Sequence, residues 1–99
     1  MIRLICYDLE DNKLRTKLAK LLDARGMERI QYSVFAGKLD ERRWKNCWHS
    51  VEHLLKDKMQ PGDKTYYLEI SEQAFCKMTC LGQQLDTAYI AGKINALLI

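Results

Sequence analysis

Asp8 is the residue whose type and position most suggest chemistry. It closes the run Ile2-Arg3-Leu4-Ile5-Cys6-Tyr7, with Glu10 and Asp11 close behind. A carboxylate oxygen is a hard donor of the kind Mg²⁺ or Mn²⁺ prefers. A cation held there would activate a water and neutralise charge developing on a phosphate. One carboxylate is a poor octahedral site, but two Asp8 side chains facing each other across a two-fold axis would supply two anionic oxygens, with water and phosphate filling the shell. Taken alone, an aspartate after a strand is more often a turn former or a cap than a metal ligand. Glu10 and Asp11 could add outer oxygens, or simply complement the positive end of a helix. Arg15, Lys17 and Arg29 are cations able to reach phosphates, and they are equally ordinary as solvated charges.

A second pattern is chemical in appearance only. His49-Ser50-Val51-Glu52-His53 matches the H-x-x-E-H inverted zinc-protease signature. The helix carrying it has an apolar stripe through Trp44, Trp48, Val51 and Leu55. At about 3.6 residues per turn, His53 falls nearly opposite that stripe. The pair is expected on a solvated face, with at most an adventitious metal contact. Trp44 and Trp48 could stack on bases, but their spacing assigns them to the core. There is no P-loop, no glycine-rich dinucleotide fingerprint and no Ser-His-Asp arrangement.

Strands and helices must position these groups. Residues 2–8 read as a strand with Ile2, Leu4 and Cys6 on one face and Ile5 and Tyr7 on the other. Asp11 or Asn12 caps a helix whose Leu14, Leu18, Leu21 and Leu22 recur at helical spacing, and Gly26 suits its left-handed stop. Residues 28–36 alternate as a second strand, with Ile30, Tyr32 and Val34 opposed to Gln31, Ser33 and Phe35. Asp40 opens a second helix with Trp44, Cys47, Trp48, Val51 and Leu55 as its stripe. Pro61-Gly62-Asp63 is a turn into a third strand, 64–70, and a fourth strand is expected over 75–81, ended by Gly82. The expected fold class is α+β, a ferredoxin-like βαββαβ sandwich with two helices on one face of an antiparallel sheet. The other face, carrying Tyr7 or its alternates with Ser33, Phe35 and Tyr67, is too apolar to leave in water. A partner's sheet is its simplest cover. The domain is expected over 1–82, with 83–99 a C-terminal extension that packs on the partner.

Composition bounds the rest. The 99 residues are 47% hydrophobic and 29% charged with one proline, which suits one globular domain. No run approaches the ~20 apolar residues of a membrane span. The N-terminus shows no export signal, so a cytoplasmic location and no membrane association are expected. A formal charge of +3 permits nucleic-acid binding without arguing for it. Cys6 and Cys47 are isolated. Cys76 and Cys80, four apart in the expected strand, would stand about 13 Å apart, against the less than about 7 Å a disulfide needs. Reduced thiols are expected.

Two stretches are more specific than fold. Tyr7-Asp8-Leu9-Glu10-Asp11-Asn12-Lys13-Leu14-Arg15 and Gly26-Met27-Glu28-Arg29-Ile30-Gln31-Tyr32-Ser33-Val34-Phe35 together resemble the CRISPR-associated protein two family. The resemblance covers the first 40 or so residues best, with Arg-Ile-Gln-Tyr-Ser-Val-Phe its most specific part. It implies a ferredoxin-like homodimer, Mg²⁺ or Mn²⁺ near Asp8, double-stranded DNA or RNA as ligand, and the larger CRISPR-associated integrase as partner. It implies catalytic roles for Asp8 and Arg15, nucleic-acid contacts from Arg15, Lys17 and Arg29, and second-shell or interface places for Tyr7, Ser33 and Phe35. Lys17 stands where some members carry arginine; it keeps the charge and loses the bidentate fork. Leu9-Glu10 replaces a commoner isoleucine and small polar residue. A metal-dependent endonuclease and a non-catalytic DNA-holding scaffold in spacer acquisition both remain open. A regulatory domain without nucleic acid is the weaker third.

Overall fold

The computed structural model describes residues 1–92. The first strand, β1 (Ile2–Asp8), leads through a short loop into α1 (Asn12–Ala24). Asp11 caps that helix by accepting the Lys13 N–H, and Gly26 follows its end with φ +89°. The β2 (Glu28–Gln31) and β3 (Val34–Gly37) strands come next, then α2 (Glu41–Leu55), β4 (Lys64–Ile70), α3 (Glu72–Cys76) and α4 (Thr87–Ile90). Asp40 caps α2 through the Arg43 N–H, as its position before the apolar stripe predicts. The sheet order is β2-β3-β1-β4 with every pair antiparallel, which is the ferredoxin-like arrangement.

The βαββαβ order is that of the expected fold class, but the strands expected over 28–36 and 75–81 would have run βαβαββ, and both differ in the structure. Residues 28–36 are a hairpin, not one strand: the chain reverses at Tyr32–Ser33, and a bulge between Arg29 and Gln31 shifts the register. Ser33 takes φ 65°, a left-handed conformation that costs an L-residue roughly 1–2 kcal/mol. Tight hairpins normally announce themselves with Asn-Gly or Asp-Gly, and Tyr-Ser carries no such signal. The expected strand at 75–81 is also absent. Ser71 accepts the Ala74 N–H and starts α3 over 72–76, and residues 77–81 form no strand. Phe75 is buried there on its own, not as part of an alternating row.

The two faces of the sheet are exchanged relative to expectation. Ile5, Tyr7 and Phe35 point at the helices, where they pack with Leu14, Leu18 and Leu22 of α1 and Trp44, Cys47, Val51 and Leu55 of α2. Tyr67 closes the same layer at the sheet edge, edge-on to Trp44 and Trp48 with ring centroids 4.7 Å from each. Arg3 fills the start of this layer: its guanidinium pairs with Glu41 at 2.8 Å and lies 5.0 Å over the Trp44 ring. Strict alternation identifies two faces but not which of them the helices choose. The opposite face therefore carries Ile2, Leu4, Cys6, Val34, Ala36, Tyr66, Leu68 and Ile70, by register. Near its Ile2 end it is covered by the chain itself. Phe75 of α3 and Ala91 just after α4 are buried with Ile2 and Ala36, and Leu4, Ile30, Ile70 and Ile90 pack around them. Tyr66 and Leu68, by contrast, are 52% and 41% exposed. Of the tail expected on a partner, Ile90 and Ala91 pack against this chain's own sheet; 93–99 lie outside the described residues. All four cysteines are free thiols. Among the described residues no helix is long and apolar enough to cross a membrane.

Candidate metal and nucleic-acid site

Asp8 is the last residue of β1 and pairs by register with Lys64, the first of β4. Directly opposed residues share a face, so both belong to the face away from α1 and α2, at the end that α3 and α4 do not cover. Asp8 is exposed, and no hydrogen bond or ion pair engages its carboxylate among the described residues. Both of its oxygens are free to ligate.

The chain just after Asp8 is held from two sides. Arg15, one turn into α1, reaches back: one terminal nitrogen, Nη1, donates to the carbonyls of Leu9 at 2.6 Å and Glu10 at 2.9 Å, and Nη2 donates to Asn12 Oδ1 at 2.9 Å. These bonds use three of the five guanidinium N–H groups. The Arg15 Nε is buried without a partner. On the other side, Asp63 Oδ1 accepts the Glu10 N–H at 3.0 Å while its Oδ2 accepts the Gln60 N–H at 2.9 Å. One carboxylate thus fastens the loop after β1 to the turn before β4. Leu9, 2% exposed, anchors the same loop in the core. Sequence reasoning passed over Asp63. It stands in Pro61-Gly62-Asp63, which reads as a turn, and nothing local announces a partner 53 residues away.

Four of the anticipated residues meet around one small cleft. Tyr7, Arg15, Arg29 and Ser33, with Asn12, Thr16 and Tyr32, line a space of about 180 Å³. No carboxylate lines it, so its charge is that of two guanidinium groups. The hairpin builds one wall: the Tyr7 N–H donates to the Ser33 carbonyl at 3.1 Å, which fixes the turn against β1. Arg29 lies over the Phe35 ring at 5.3 Å, and Phe35 in turn stacks on Tyr7 with centroids 6.4 Å apart. Phe35 is buried under α1 and does not line the cleft. Tyr32, at the hairpin tip, is 70% exposed; only the hidden hairpin makes it prominent. Lys17 is exposed on α1 and outside the cleft.

His49, Glu52 and His53 are exposed, as their position on the helix predicts. They border an open hollow of about 660 Å³ beside Trp48, Met59 and Thr65. Among the described residues no group of three or more His, Cys, Asp or Glu side chains is placed to hold a metal ion. Cys47 lies in the core, where burial pushes its thiol pKa up and the Arg25 charge partly opposes the rise.

A model of the family CRISPR associated protein Cas2 matches residues 1–78. The chain belongs to that family. A CRISPR-associated endoribonuclease Cas2 of Methanospirillum hungatei is 33% identical over 84 residues, covering 84% of this chain and 89% of that protein. A protein of the same description from Archaeoglobus fulgidus is 48% identical over 40 residues, 40% of this chain and 43% of that protein. The chain thus spans less than half of that relative, in keeping with a resemblance concentrated in the first 40 residues. The crystal structure of Streptococcus pyogenes Cas2 superposes with a TM-score of 0.68 at 22% identity, covering 83% of this chain and all of that one, which establishes the shared fold.

For a Cas2 chain the donor set at Asp8 fits half of a divalent-metal site. It offers one exposed hard-oxygen ligand with no competing partner, on a face still open at that end. A single chain supplies too little to hold the ion alone.

Proposed function

We propose that this chain acts as a homodimeric subunit of CRISPR adaptation that binds double-stranded nucleic acid alongside the CRISPR-associated integrase, with Mg²⁺- or Mn²⁺-dependent phosphodiester hydrolysis centred on Asp8. The observation that carries the proposal is the unpartnered carboxylate of Asp8 at the uncovered end of a sheet face on which Tyr66 and Leu68 are also exposed. A second copy meeting that face would cover the apolar side chains and bring a second carboxylate near the first.

When bound, the metal would supply an activated water and charge neutralisation. The chain's own part is to hold the ligand and the substrate. Asp8 presents two oxygens; Arg15 and Asp63 fix the loop that follows; Arg29 and Lys17 offer cations to the phosphates. The endoribonuclease names of the relatives support hydrolysis of RNA; DNA is the other substrate this proposal allows. The scaffold reading is favoured by one feature: the cleft residues include no carboxylate or histidine to serve as a general base.

Asp8→Asn tests the proposal. It is nearly isosteric and removes the charge that a hard cation requires. The wild type should unfold at a higher temperature with Mg²⁺ or Mn²⁺, in proportion to occupancy, and the variant should gain little and lose any metal-dependent cleavage. Equal stabilisation of both would place the metal elsewhere. Cleavage lost with spacer acquisition intact would select the scaffold.

A further inference from the structure

We propose that Lys64 is a phosphate contact of the Asp8 site, and that its charge holds metal affinity down until nucleic acid arrives. This rests on the assignment of metal to Asp8. Lys64 and Asp8 are the terminal pair of the β1–β4 ladder, exposed on the same face. Cross-strand partners place their Cβ atoms about 4.5–5.5 Å apart. Yet their charged groups form no ion pair, and no other hydrogen bond or ion pair engages Lys64 among the described residues. The ammonium is near the carboxylate without being consumed by it. Its position is not left to a floppy terminus: the preceding residue, Asp63, is bonded to the Glu10 and Gln60 N–H groups, which pins both strand ends of the pair.

The charge count gives the consequence. Asp8 and Lys64 sum to zero within each chain, so a divalent cation approaches a locally neutral site. A phosphodiester entering beside them adds a negative charge, satisfies the ammonium and restores the attraction for the cation. Metal and nucleic acid should therefore assist each other, and by linkage the assistance is reciprocal. A lysine charge about 7 Å from a divalent cation in nearly aqueous surroundings changes the cation's affinity by about sevenfold. Each phosphate contact adds about 0.9 to the salt-dependence slope of duplex binding.

The test uses the full chain. Mn²⁺ is titrated calorimetrically into metal-free wild type, Lys64→Gln, Lys64→Arg and Asp8→Asn. Binding of a short duplex DNA is then followed by anisotropy in EDTA at several salt concentrations. Lys64→Gln is expected to bind Mn²⁺ about sevenfold tighter and duplex more weakly, with a slope smaller by about 0.9 for each lysine engaged; Lys64→Arg should resemble the wild type in both. Unchanged Mn²⁺ affinity, or an unchanged duplex slope, in Lys64→Gln overturns the proposal. If Asp8→Asn loses Mn²⁺ binding while Lys64→Gln matches the wild type, Lys64 alone is misassigned. If Asp8→Asn binds Mn²⁺ as the wild type does, the metal assignment itself fails.

Discussion

Replacing Arg15 separates two roles that its position in the sequence leaves merged. Its guanidinium donates three hydrogen bonds, to the Leu9 and Glu10 carbonyls and to Asn12 Oδ1, at 2.6, 2.9 and 2.9 Å. Bonds from a charged donor contribute about 1.5–3 kcal/mol when sheltered. The Arg15 side chain is half-exposed, so water can replace part of each bond, and about 2 kcal/mol for the set is a reasonable total. For a domain of this size that is a fall in melting temperature of roughly 8–16 °C. Arg15→Ala should show that fall in thermal unfolding, and Arg15→Lys should recover little of it, because an ammonium cannot span two carbonyls and an amide in one plane. Duplex affinity should drop only as far as the Asp8 loop is disturbed. An Arg15→Ala protein that melts like the wild type but whose duplex-binding slope falls by about 0.9 would refute the clamp and make Arg15 a phosphate contact.

Asp63→Ala removes the acceptor shared by the Glu10 and Gln60 N–H groups; urea unfolding should register a loss of about 1–2 kcal/mol, limited because water can reach both donors. Phe75→Ala, at a site 1% exposed, should cost about 3–5 kcal/mol and leave the α1–α2 layer intact; near-native stability would mean that α3 does not cover the sheet. Cys47 should resist alkylation at neutral pH while Cys76 and Cys80 react, as peptide mass mapping would show, because burial favours its neutral thiol. Its folded pKa is raised, so its contribution to stability is complete below the ordinary thiol range and fades as pH climbs through the raised value. Cys47→Ala should flatten that alkaline decline.

The two long helices, α1 and α2, were legible because each carries several signals that agree. Asp40 before the stripe from Trp44 to Leu55 fixes both the start of α2 and its buried face, and that same stripe exposes His49 and His53. The strands were less so. Residues 28–36 alternate apolar and polar whether they run straight or fold back, and the turn rests on Ser33 accepting a conformation its type does not advertise. Phe75 and Leu81 look alike as apolar residues near the chain's end, but the first is buried beneath α3 and the second is 97% exposed. Only tertiary packing distinguishes them. At the site, Asp8, Arg15 and Arg29 were visible as types in a recognisable run. Asp63 and Lys64 were invisible because their relevance is created by the β1–β4 register, a pairing between segments more than fifty residues apart.

That register also gives the proposed dimer its direction. The face away from α1 and α2 is apolar along much of its length, but α3 and α4 close the end that begins at Ile2 and Ile70. The other end, where Cys6 pairs with Tyr66 and Asp8 with Lys64, is left to an outside partner. A closed two-fold contact must bring the same patch of each copy to the axis. With one end already filled from within the chain, the patch available is the one ending in Asp8. An arrangement that buries Tyr66 and Leu68 against their counterparts therefore draws the two carboxylates towards each other. Without a cation between them they would repel, and the nearby Lys64 of each chain would temper that repulsion. In the proposed dimer the contact that covers Tyr66 and Leu68 would also bring together a site for a divalent cation and a phosphate, and each Asp8 would need its counterpart to hold the ion.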